Sequence, residues 1–536
     1  MNFIYFKLIV TTLFFMISYC EANDNKSQIQ NTKHETIRIA LGQNVNTIDP
    51  SLARQEQDFE IIEQLFLGLT DFEPTTYNVI PEFAISWKVN DDNTIYTFKL
   101  RQDVKWTNGE PVTAHDVVWT INHNLIQSPR LYKMLYIIKN AKAIRKGELL
   151  PLGVNAIDDY TVEFELEYAA GYFPAMVSMS VYRPLPKNVV KKYGNDWTKL
   201  EHIQTNGSYY PINWKQGKSI TLEKNLQYYD VHQVQIQKIQ YFIISNAVLG
   251  FAMYKHDELD IIGGNSTLPR DEMPYINFNA NLRRELHNTK KFKTLFYGFN
   301  TKNPPMDNKL VRKAISAAIN KQIINDFVVW NNNTIANTFT HPSTFGSVEP
   351  QQQVGVQFDP KQAKKWLLQA GYNDNEFPKD VVLISPDEPT KLSIANAIKI
   401  MLKRYLNIDI KIQKYGRRDD KKTFDIHIFY HTWTGDYPDA NNWLYETFHP
   451  KFGYYSKKLG WSNDEFTEVV EKAQQITEQT ERKRLYHRAE QIITEEEAAI
   501  IPIYFTNAPI LVKSRVKGWY HMPFGGQHIR DWKLEN

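Results

Sequence analysis

The stretch SWKVNDDNTIYTFKLRQDVKWTNGEPVTAHDVVWTI, residues 86–121, contains the clearest fold signals in the chain. Apolar and polar residues alternate over 87–100 on both sides of an Asn- and Asp-rich turn, a pattern typical of a β-hairpin. Farther along, Thr113-Ala-His-Asp116 has the form of a capping box, and apolar residues follow it at helical spacing as far as Ile121. The stretch therefore predicts two antiparallel strands and then a helix.

Similar signals recur outward along the chain. SYYPINWKQGKSITLEKN (208–225) predicts a second hairpin, with Gln216-Gly217 in its turn. Asp359 as N-cap, Pro360 at the first helical position and Gly371 as C-cap delimit a clear helix over 359–372. The other predicted elements are helices over 306–324 and 391–406, strands over 380–385 and 408–415, a helical pair over 463–499, and the strand AIIPIYF from residue 499. The strand–helix–strand unit at 380–415 favours parallel pairing in an α/β layer.

Length and composition limit the class of protein. The chain has 536 residues, enough for two to four domains, and is 42% hydrophobic and 23% charged, as in ordinary globular proteins. Aromatic residues make up 13%, with 30 Tyr and 12 Trp, side chains that are favoured both in cores and at binding surfaces. The formal net charge is only +3, and the basic residues are scattered rather than striped. We therefore expect no nucleic-acid partner.

Residues 1–22 have the pattern of an export signal. The apolar run LIVTTLFFMISYC is too short and too interrupted for a membrane span, and no other segment approaches one. The single cysteine, Cys20, has two interpretations: cleavage after Ala22 to a free mature chain, or lipidation of Cys20, for which the preceding Tyr19 is a poor match. The polar stretch 23–36 predicts a flexible beginning of the mature protein.

Catalytic motifs are weak in this sequence. Gly217-Lys218-Ser219 has the ending of a phosphate-binding loop, but it lies in a predicted hairpin turn and lacks the first glycine. His427 and His431 are four residues apart in FDIHIFYH, which alternates as a strand, so they would lie about 13 Å apart and could not share a metal. We expect no catalysis, no metal site and no cofactor.

The stretch WTGDYPDANNW, from Trp433 to Trp443, places two acids among aromatic residues. Asp439 is predicted to cap the helix that follows. Asp436 has two interpretations, a turn or cap acid before Pro438 or a ligand-binding carboxylate. Trp433 is equally compatible with a pocket wall and with core packing.

Several sequence landmarks, taken in order, make the chain resemble one known family. They are NTIDP (46–50), LFLGL (65–69), the stretch 86–121, TNGSYYPINW (205–214), YGFNTKNPPMDNKLVRKAISAAIN (297–320), WTGDYPDANNWL (433–444), RLYHRAEQII (484–493) and IPIYF (501–505). The chain is similar to the periplasmic oligopeptide-binding proteins, the family 5 solute-binding components of peptide ABC transporters. The resemblance covers roughly Ile37 to Trp532.

The resemblance implies an α/β, two-lobed periplasmic binding protein fold of type II with an extra inserted domain, three domains in all. Lobe I would be discontinuous, formed by 37–66, 191–295 and 503–536. The inserted domain, of the type seen in peptide binders, would comprise 67–190. Lobe II would comprise 296–502 and contain the predicted α/β unit. The two lobes are expected to close over the ligand.

The family also implies which residues touch a peptide. The acid of its Trp-x-x-Asp-Tyr motif pairs with the α-ammonium of the ligand, and here that acid is Asp436. The chain just before it, from Thr432 through Trp433 to Thr434, would lie beside the peptide as an added strand. Gly435 would allow a ligand to approach the chain closely.

A second backbone segment of the family's site falls at Arg54, Gln55 and Glu56. The sequence departs from the family's pattern at two positions. Arg54 stands where the best-known type has an acid, and Tyr430 stands where an arginine is usual. These departures leave the preferred ligand open.

The implied function is capture of oligopeptides and their delivery to an inner-membrane ABC permease. The same fold carrying another cargo, such as a dipeptide, a murein peptide, haem or nickel, is the alternative. The protein is expected to be a monomer in the periplasm of a Gram-negative bacterium, either free or anchored through Cys20.

Overall fold

The computed structural model describes residues 35–329, 333–373, 377–416 and 426–535. The predicted signal 1–22, including Cys20, and all but the last two residues of the predicted flexible stretch 23–36 lie outside the described residues. Within these ranges, no helix combines the length and apolar character that crossing a bilayer requires.

Nineteen strands occur in the described part of the chain, and most belong to one large sheet. In chain order they are β1 (Thr36–Leu41), β2 (Thr70–Phe72), β3 (Val79–Pro81), β4 (Ala84–Val89), β5 (Ile95–Leu100), β6 (Val154–Asp158), β7 (Thr161–Glu165), β8 (Tyr209–Lys215), β9 (Ser219–Lys224), β10 (Lys238–Ile243), β11 (Ile261–Gly263), β12 (Leu286–Phe299), β13 (Thr334–Ile335), β14 (Val382–Pro386), β15 (Lys411–Tyr415), β16 (Ile428–Thr434), β17 (Ile500–Val512), β18 (Val516–Lys517) and β19 (Lys533–Leu534).

The large sheet has the order β15-β14-β16-β12-β17-β11-β1-β10-β9-β8, with β13 added beside β17. Its two long central strands, β12 and β17, run antiparallel through both halves of the sheet. Their register shifts between Lys290 and Thr294, where three residues of β12 stand opposite one residue of β17. Such a bulge bends the strand and redirects side chains. The two halves of the sheet are thus joined through an irregular pair of strands.

The apolar cores follow the same division. The largest core cluster is drawn almost entirely from residues 37–261 and 510–532, while two further clusters cover the opposite faces of the β12–β16 half of the sheet. Tyr437 is an exception, because it belongs to the large cluster and its ring stacks on Tyr172 at 5.5 Å. The loop after β16 therefore packs across the division.

The stretch 86–121 folds as its pattern predicts. Strands β4 and β5 pair antiparallel in a separate four-stranded sheet of order β4-β5-β7-β6. Thr113 is the N-cap of a helix, Ala114–Gln127, and forms a capping box with Asp116. The second predicted hairpin is confirmed as β8 and β9.

The longer helices are numbered here in chain order. They are α1 (Glu56–Leu65), α2 (Ala114–Gln127), α3 (Ala247–Lys255), α4 (Lys309–Ala317), α5 (Pro360–Gln369), α6 (Pro389–Leu406), α7 (Asp464–Gln475) and α8 (Gln479–Gln491). The predicted unit at 380–415 is confirmed as β14, α6 and β15, with parallel pairing of the two strands. The predicted helical pair is confirmed as α7 and α8.

Of two predicted helices, the structure confirms one and divides the other. The helix over 359–372 is confirmed as α5, with Asp359 as N-cap, Pro360 at its start and Gly371 just past its end. The single helix predicted over 306–324 is wrong, because α4 ends at Ala317. Asn320 caps a separate short helix by accepting a hydrogen bond from the Ile323 N–H. A capping side chain inside an apolar stripe explains the break.

Candidate functional site

A cavity of 580 Å³ lies between the two halves of the sheet. Much of its wall comes from four stretches of chain: 54–57 at the start of α1, 291–293 in the bulge of β12, 434–436 at the end of β16, and 521–528 after β17. Residues 71–72 and 178–180 also line it. Clefts of this size, lined by a mixture of apolar and converging polar groups, are the usual form of a small-molecule or peptide site. This cavity is therefore the candidate functional site.

The predicted segment Arg54, Gln55 and Glu56 lines the cavity. The backbone N–H groups of Arg54 and Gln55 donate to the Asp58 carboxylate at 3.1 and 3.2 Å, in the capping arrangement that begins α1. The Glu56 carboxylate accepts a hydrogen bond from the Lys291 ammonium at 2.6 Å. The segment is thus held rigidly, and its first two N–H groups are already used.

Asp436 also lines the cavity, and its side chain is exposed to the open cleft. Its backbone N–H donates to Asn442 Oδ1 at 3.0 Å, and Asn442 Nδ2 donates to Asp436 Oδ2 at 3.4 Å. Desolvation by the surrounding protein raises the pKa of the carboxyl above its ordinary value, and the hydrogen bond from Asn442 opposes this. Among the described residues, no cation lies within ion-pair distance of it. The carboxylate is held in place without a charge partner.

Gly435 lines the cavity beside Asp436 and also packs against a neighbouring ring. A Cβ on Gly435 would lie 2.2 Å from the ring of Phe292, so the packing of that ring already requires a glycine at this position. The aromatic neighbours Tyr437 and Trp443 are fully buried in the cores, away from the exposed carboxylate. These two side chains support the loop and leave Asp436 exposed.

Only one residue of the predicted edge segment reaches the cavity. Thr434 lines it, whereas Thr432, Trp433 and Tyr430 do not. The Thr432 carbonyl accepts a hydrogen bond from Tyr455, and Trp433 is half-buried and donates its indole N–H to Asn442 at 3.3 Å. Tyr430 is buried in the core of the β12–β16 half of the sheet. Core packing is therefore the role of Trp433 and of Tyr430 in this conformation.

Asp439, predicted as a helix cap, has a larger structural role. Its carboxylate accepts the Asn441 N–H at 3.0 Å, as a capping acid does. It also forms a buried ion pair with Arg482 on α8, with oxygen–nitrogen distances of 2.8 and 2.9 Å. The two acids of the stretch thus differ, since Asp439 is paired and buried while Asp436 is unpaired and open.

Sequence reasoning missed the wall formed by 521–528. Gly526 packs so closely on α1 that an added Cβ would lie 2.3 Å from Glu63 Cβ. Gln64 donates to the Gln527 carbonyl at 2.6 Å, and the Gln527 N–H donates to buried Glu60 at 3.1 Å. The adjacent glycines at 525 and 526 were the available signal for a close approach of this kind.

A buried network of charges lies at one side of the cavity. Glu63, Asp71 and His528 are close enough together to hold a metal ion. However, Arg183 pairs with Glu63 at 2.6 Å, and Arg530 pairs with Asp71. Burial alone would raise the pKa of Asp71, but His528 and Arg530 outweigh it and hold that pKa well below its ordinary value. The carboxylates are already neutralised, and the network is best described as structural.

Comparison with known proteins identifies the family. The sequence model of the bacterial extracellular solute-binding proteins, family 5, middle part, matches residues 78–455, well over half of the chain. The chain belongs to this family. Its cavity between two halves of one sheet is therefore the cavity of a solute-binding protein. The family resemblance that the sequence landmarks indicated is confirmed.

Relatives in family 5 match over nearly the whole length. The dipeptide-binding protein DppE of Bacillus subtilis (strain 168) is 28% identical, covering 96% of this chain and 95% of that protein. The periplasmic oligopeptide-binding protein OppA of Salmonella typhimurium is also 28% identical, covering 95% and 94%. These relatives are named for binding, which is consistent with the expectation that the chain is not an enzyme.

Solved structures support the predicted fold class. The unliganded open form of MppA, a periplasmic murein tripeptide binding protein, superimposes with a TM-score of 0.82 at 26% identity, covering 94% of this chain and 97% of that one. The predicted α/β periplasmic binding protein fold is therefore confirmed. The similarity to an open form agrees with the exposed position of Asp436.

Proposed function

We propose that this chain is an extracytoplasmic binding protein that holds an oligopeptide in its cleft and delivers it to an ABC importer. The observation that carries the proposal is the unpaired Asp436 carboxylate, fixed by Asn442 and exposed to a 580 Å³ cavity. A cleft with one fixed, unpartnered anion is suited to a ligand that brings one cation. The α-ammonium of a peptide is such a cation, and it needs a counter-charge when the cleft closes around it.

The edge of β16 indicates that the ligand is a peptide and not another kind of amine. Beyond Phe429, β16 is paired with β12 on one side, while its pairing with β14 stops at that residue. This edge next to Asp436 pairs with no other described strand, although Tyr455 donates to its Thr432 carbonyl. Such an edge can bind the backbone of an extended peptide whatever its side chains are. Thr434 is the residue of this edge that already lines the cavity. Thr432 and Trp433 would join the site only after a change in conformation.

The wall of the cavity opposite Asp436 also fits an enclosed ligand. Arg54, Gln55 and Glu56 face the same cavity from the other half of the sheet, as expected for a ligand enclosed between two lobes. We assign the lobes to 37–66 with 191–295 and 503–536, and to 296–502, with 67–190 inserted. The separate core clusters of the β12–β16 half support the division at 296–502 to within a few residues, and the separate four-stranded sheet supports the insertion. The proposed setting is a monomer in the periplasm of a Gram-negative bacterium that delivers its ligand to an inner-membrane permease.

The test compares Asp436→Ala with wild type in titration calorimetry. The ligand is a peptide identified by native mass spectrometry of the protein purified from its host, made with a free and with an acetylated amino terminus. The variant should lose about 2–5 kcal/mol of binding free energy for the free-amino peptide, because a desolvated charge partner is removed. Acetylation should weaken binding to wild type by a similar amount and leave the variant unchanged.

Asp91→Asn is the matched control, because Asp91 is exposed and lies outside the cavity. It should bind both peptides as wild type does. Equal binding of free and acetylated peptides by wild type would show that Asp436 is not the amine anchor. Haem or nickel in the purified protein, with no peptide, would replace the proposed cargo by the alternative one.

A further inference from the structure

Most charged side chains that line the cavity already have partners within the protein. Glu56 pairs with Lys291, Glu63 pairs with Arg183, and Asp71 pairs with His528 and Arg530. Burial lowers the pKa of His521 to about 3, so that ring is neutral. Among the described residues of the lining, three ionised side chains have no ion pair: Asp436, Arg54 and Lys293. The free charges of the cleft are therefore one anion and two cations.

Lys293 lines the cleft because it lies in the bulge of β12. The bulge comprises residues 291–293, which lie between Lys290 and Thr294, the two nearest residues of β12 that pair with β17. All three residues of the bulge line the cavity. On its other side, Lys293 is directly opposite Thr434 of β16. Directly opposite residues of an antiparallel pair have Cβ atoms about 4.5–5.5 Å apart on one face of the sheet.

This pairing brings Lys293 close to the proposed amine anchor. The Gly435 N–H donates to the Phe292 carbonyl at 3.1 Å, so the two chains stay together one residue past Thr434. Asp436 follows immediately. A ligand bound at Asp436 and extended along the cleft advances about 3.3 Å per residue, so only its first few residues lie near Lys293.

The surroundings of Lys293 compensate its charge only in part. Its side chain is half-buried, and desolvation lowers the pKa of its ammonium. The carboxylates of Glu56 and Glu388 oppose this shift, whereas the like charges of Lys391 and Lys291 add to it. Lys291 is itself paired with Glu56, and Lys391 is paired with Glu388 at 2.7 Å. An unpaired ammonium among lysines is a place where a carboxylate is stabilised.

Arg54 adds a second cation in the same cavity. Its backbone is fixed by Asp58, while its side chain is exposed. Glu56, two residues along, pairs with Lys291 of β12 at 2.6 Å, so the two walls are close at this point. Arg54 is therefore placed to support a negative ligand group, with a weaker effect because water screens it.

We propose that Lys293, assisted by Arg54, forms a carboxylate subsite next to Asp436. The cleft then prefers peptides that carry a carboxylate within about three residues of the amino terminus, given the advance per residue of an extended chain. The carboxylate has two possible sources with the same chemistry: an acidic side chain, or the α-carboxylate of a dipeptide or tripeptide. This inference rests on the proposed peptide-binding function.

The experiment titrates the purified mature protein with four tripeptides. Ala-Glu-Ala and Ala-Gln-Ala differ only in a side-chain carboxylate, and each is made with a free and with an amidated carboxyl terminus. Wild type should lose about tenfold in affinity when the carboxylate that Lys293 binds is removed, as for a hydrogen bond to a charged group. A loss on changing Glu to Gln identifies the side chain as the source, and a loss on amidation identifies the α-carboxylate.

Three variants test whether the preference for a carboxylate comes from Lys293 and Arg54. In Lys293→Gln the tenfold preference should disappear, and in Lys293→Arg it should return, because the charge is restored. Arg54→Gln should reduce the preference by about threefold, as for an exposed ion pair. Lys290→Gln is the matched control: it removes the same charge from the same strand, but Lys290 is exposed and does not line the cavity.

Two outcomes would overturn the inference, and they are distinguishable from each other. If wild type binds all four tripeptides equally, or if Lys293→Gln keeps the preference, the carboxylate subsite does not exist while peptide binding stands. If none of the four tripeptides binds while haem or nickel does, the proposed peptide function fails and the subsite fails with it.

Discussion

Asp436 is held in place by one neighbouring side chain, Asn442. The buried amide of Asn442 accepts hydrogen bonds from the Asp436 N–H and from the Trp433 indole, and it donates to Asp436 and to Glu446. Burial raises the pKa of Glu446 to about 7, so Glu446 is largely protonated below neutral pH and adds little negative charge beside Asp436 there. A single buried amide thus positions the proposed anchor.

We expect Asn442→Ala to weaken peptide binding although Asn442 does not line the cavity. The substitution leaves buried groups without partners, at about 1–3 kcal/mol each, and lets the Asp436 side chain rotate. Affinity for a free-amino peptide should fall about tenfold, measured by calorimetry, while the acetylated peptide should be affected much less.

Asn441→Ala is the control for this prediction. Asn441 is equally buried, but its amide donates to the Tyr437 hydroxyl at 2.9 Å and does not touch Asp436. Its loss should lower stability in the same way and leave affinity unchanged. If both variants weaken binding equally, the effect comes from general loosening of the loop and not from positioning.

The buried Glu60 predicts how stability depends on pH. Burial raises its pKa from 4.5 to about 7, although hydrogen bonds from Tyr241 and Gln527 oppose the shift. Between these two values the unfolded chain releases the proton and the folded protein keeps it, so the free energy of unfolding falls as pH rises, by on the order of 3 kcal/mol, and then levels off. Thermal unfolding from pH 4.5 to 7 should show a smaller decline in Glu60→Gln than in wild type. An unchanged slope in the variant would assign the decline to other groups.

The residues of the candidate site were predictable to different degrees. Asp436 could be located because its motif is contiguous in sequence. Lys293 could not, because it reaches the cavity through a register shift between β12 and β17, which depends on pairing between distant parts of the chain. Gly435 was predicted at the cavity and lines it, but its contact with the Phe292 ring could not be predicted, because Phe292 lies on another strand.

At the level of secondary-structure elements, prediction succeeded where the signal, a helix cap or an alternation of apolar and polar residues, lies within the element itself. The hairpin β4–β5, helix α5 and the β14–α6–β15 unit follow from such patterns. The break after α4 did not, because an apolar stripe continues through it while Asn320 redirects the chain. The wall at 521–528 has little periodicity and is held by contacts to α1, so its place could not be inferred from the sequence around it.

The ion pair between Asp439 and α8 is the main polar tie of the loop that carries Asp436. Both side chains are at least 95% buried, and Arg482 also donates to the Ala473 carbonyl at 3.1 Å. We expect Asp439→Ala to lower the free energy of unfolding by about 3–5 kcal/mol, because it leaves a buried guanidinium unpaired. Urea denaturation measures this loss.

The double variant Asp439→Leu/Arg482→Met is the matched comparison. It removes both charges and keeps the volume, so it should recover much of the stability lost by the single variant. A double variant that is less stable than Asp439→Ala would show that the pair contributes more than the cost of burying its charges.

At the scale of the whole molecule, we expect the cleft to close where the two halves of the sheet are joined. The two halves of the sheet are joined by β12 and β17, and their register shift lies at the level of the cavity. A bulge in paired strands is a place where a small change in backbone angles alters the direction of everything beyond it. The stacked Tyr172 and Tyr437 form a further contact across the division, close to Asp436. Closure about these points would bring the Arg54 wall toward Asp436 and exclude water from both.

We therefore expect peptide binding to reduce the radius of gyration, measured by small-angle X-ray scattering. A compact chain of this length has a radius of about 24 Å, and the open form should exceed that value and approach it when ligand is added. Asp436→Ala should stay open at peptide concentrations that close wild type, because the ligand can shift the equilibrium only by its extra affinity for the closed state. At concentrations that saturate the variant, it should close as well. If wild type binds peptide with no change in radius, the cleft is a rigid site, and the irregular β12–β17 pair shapes the cavity without acting as a hinge.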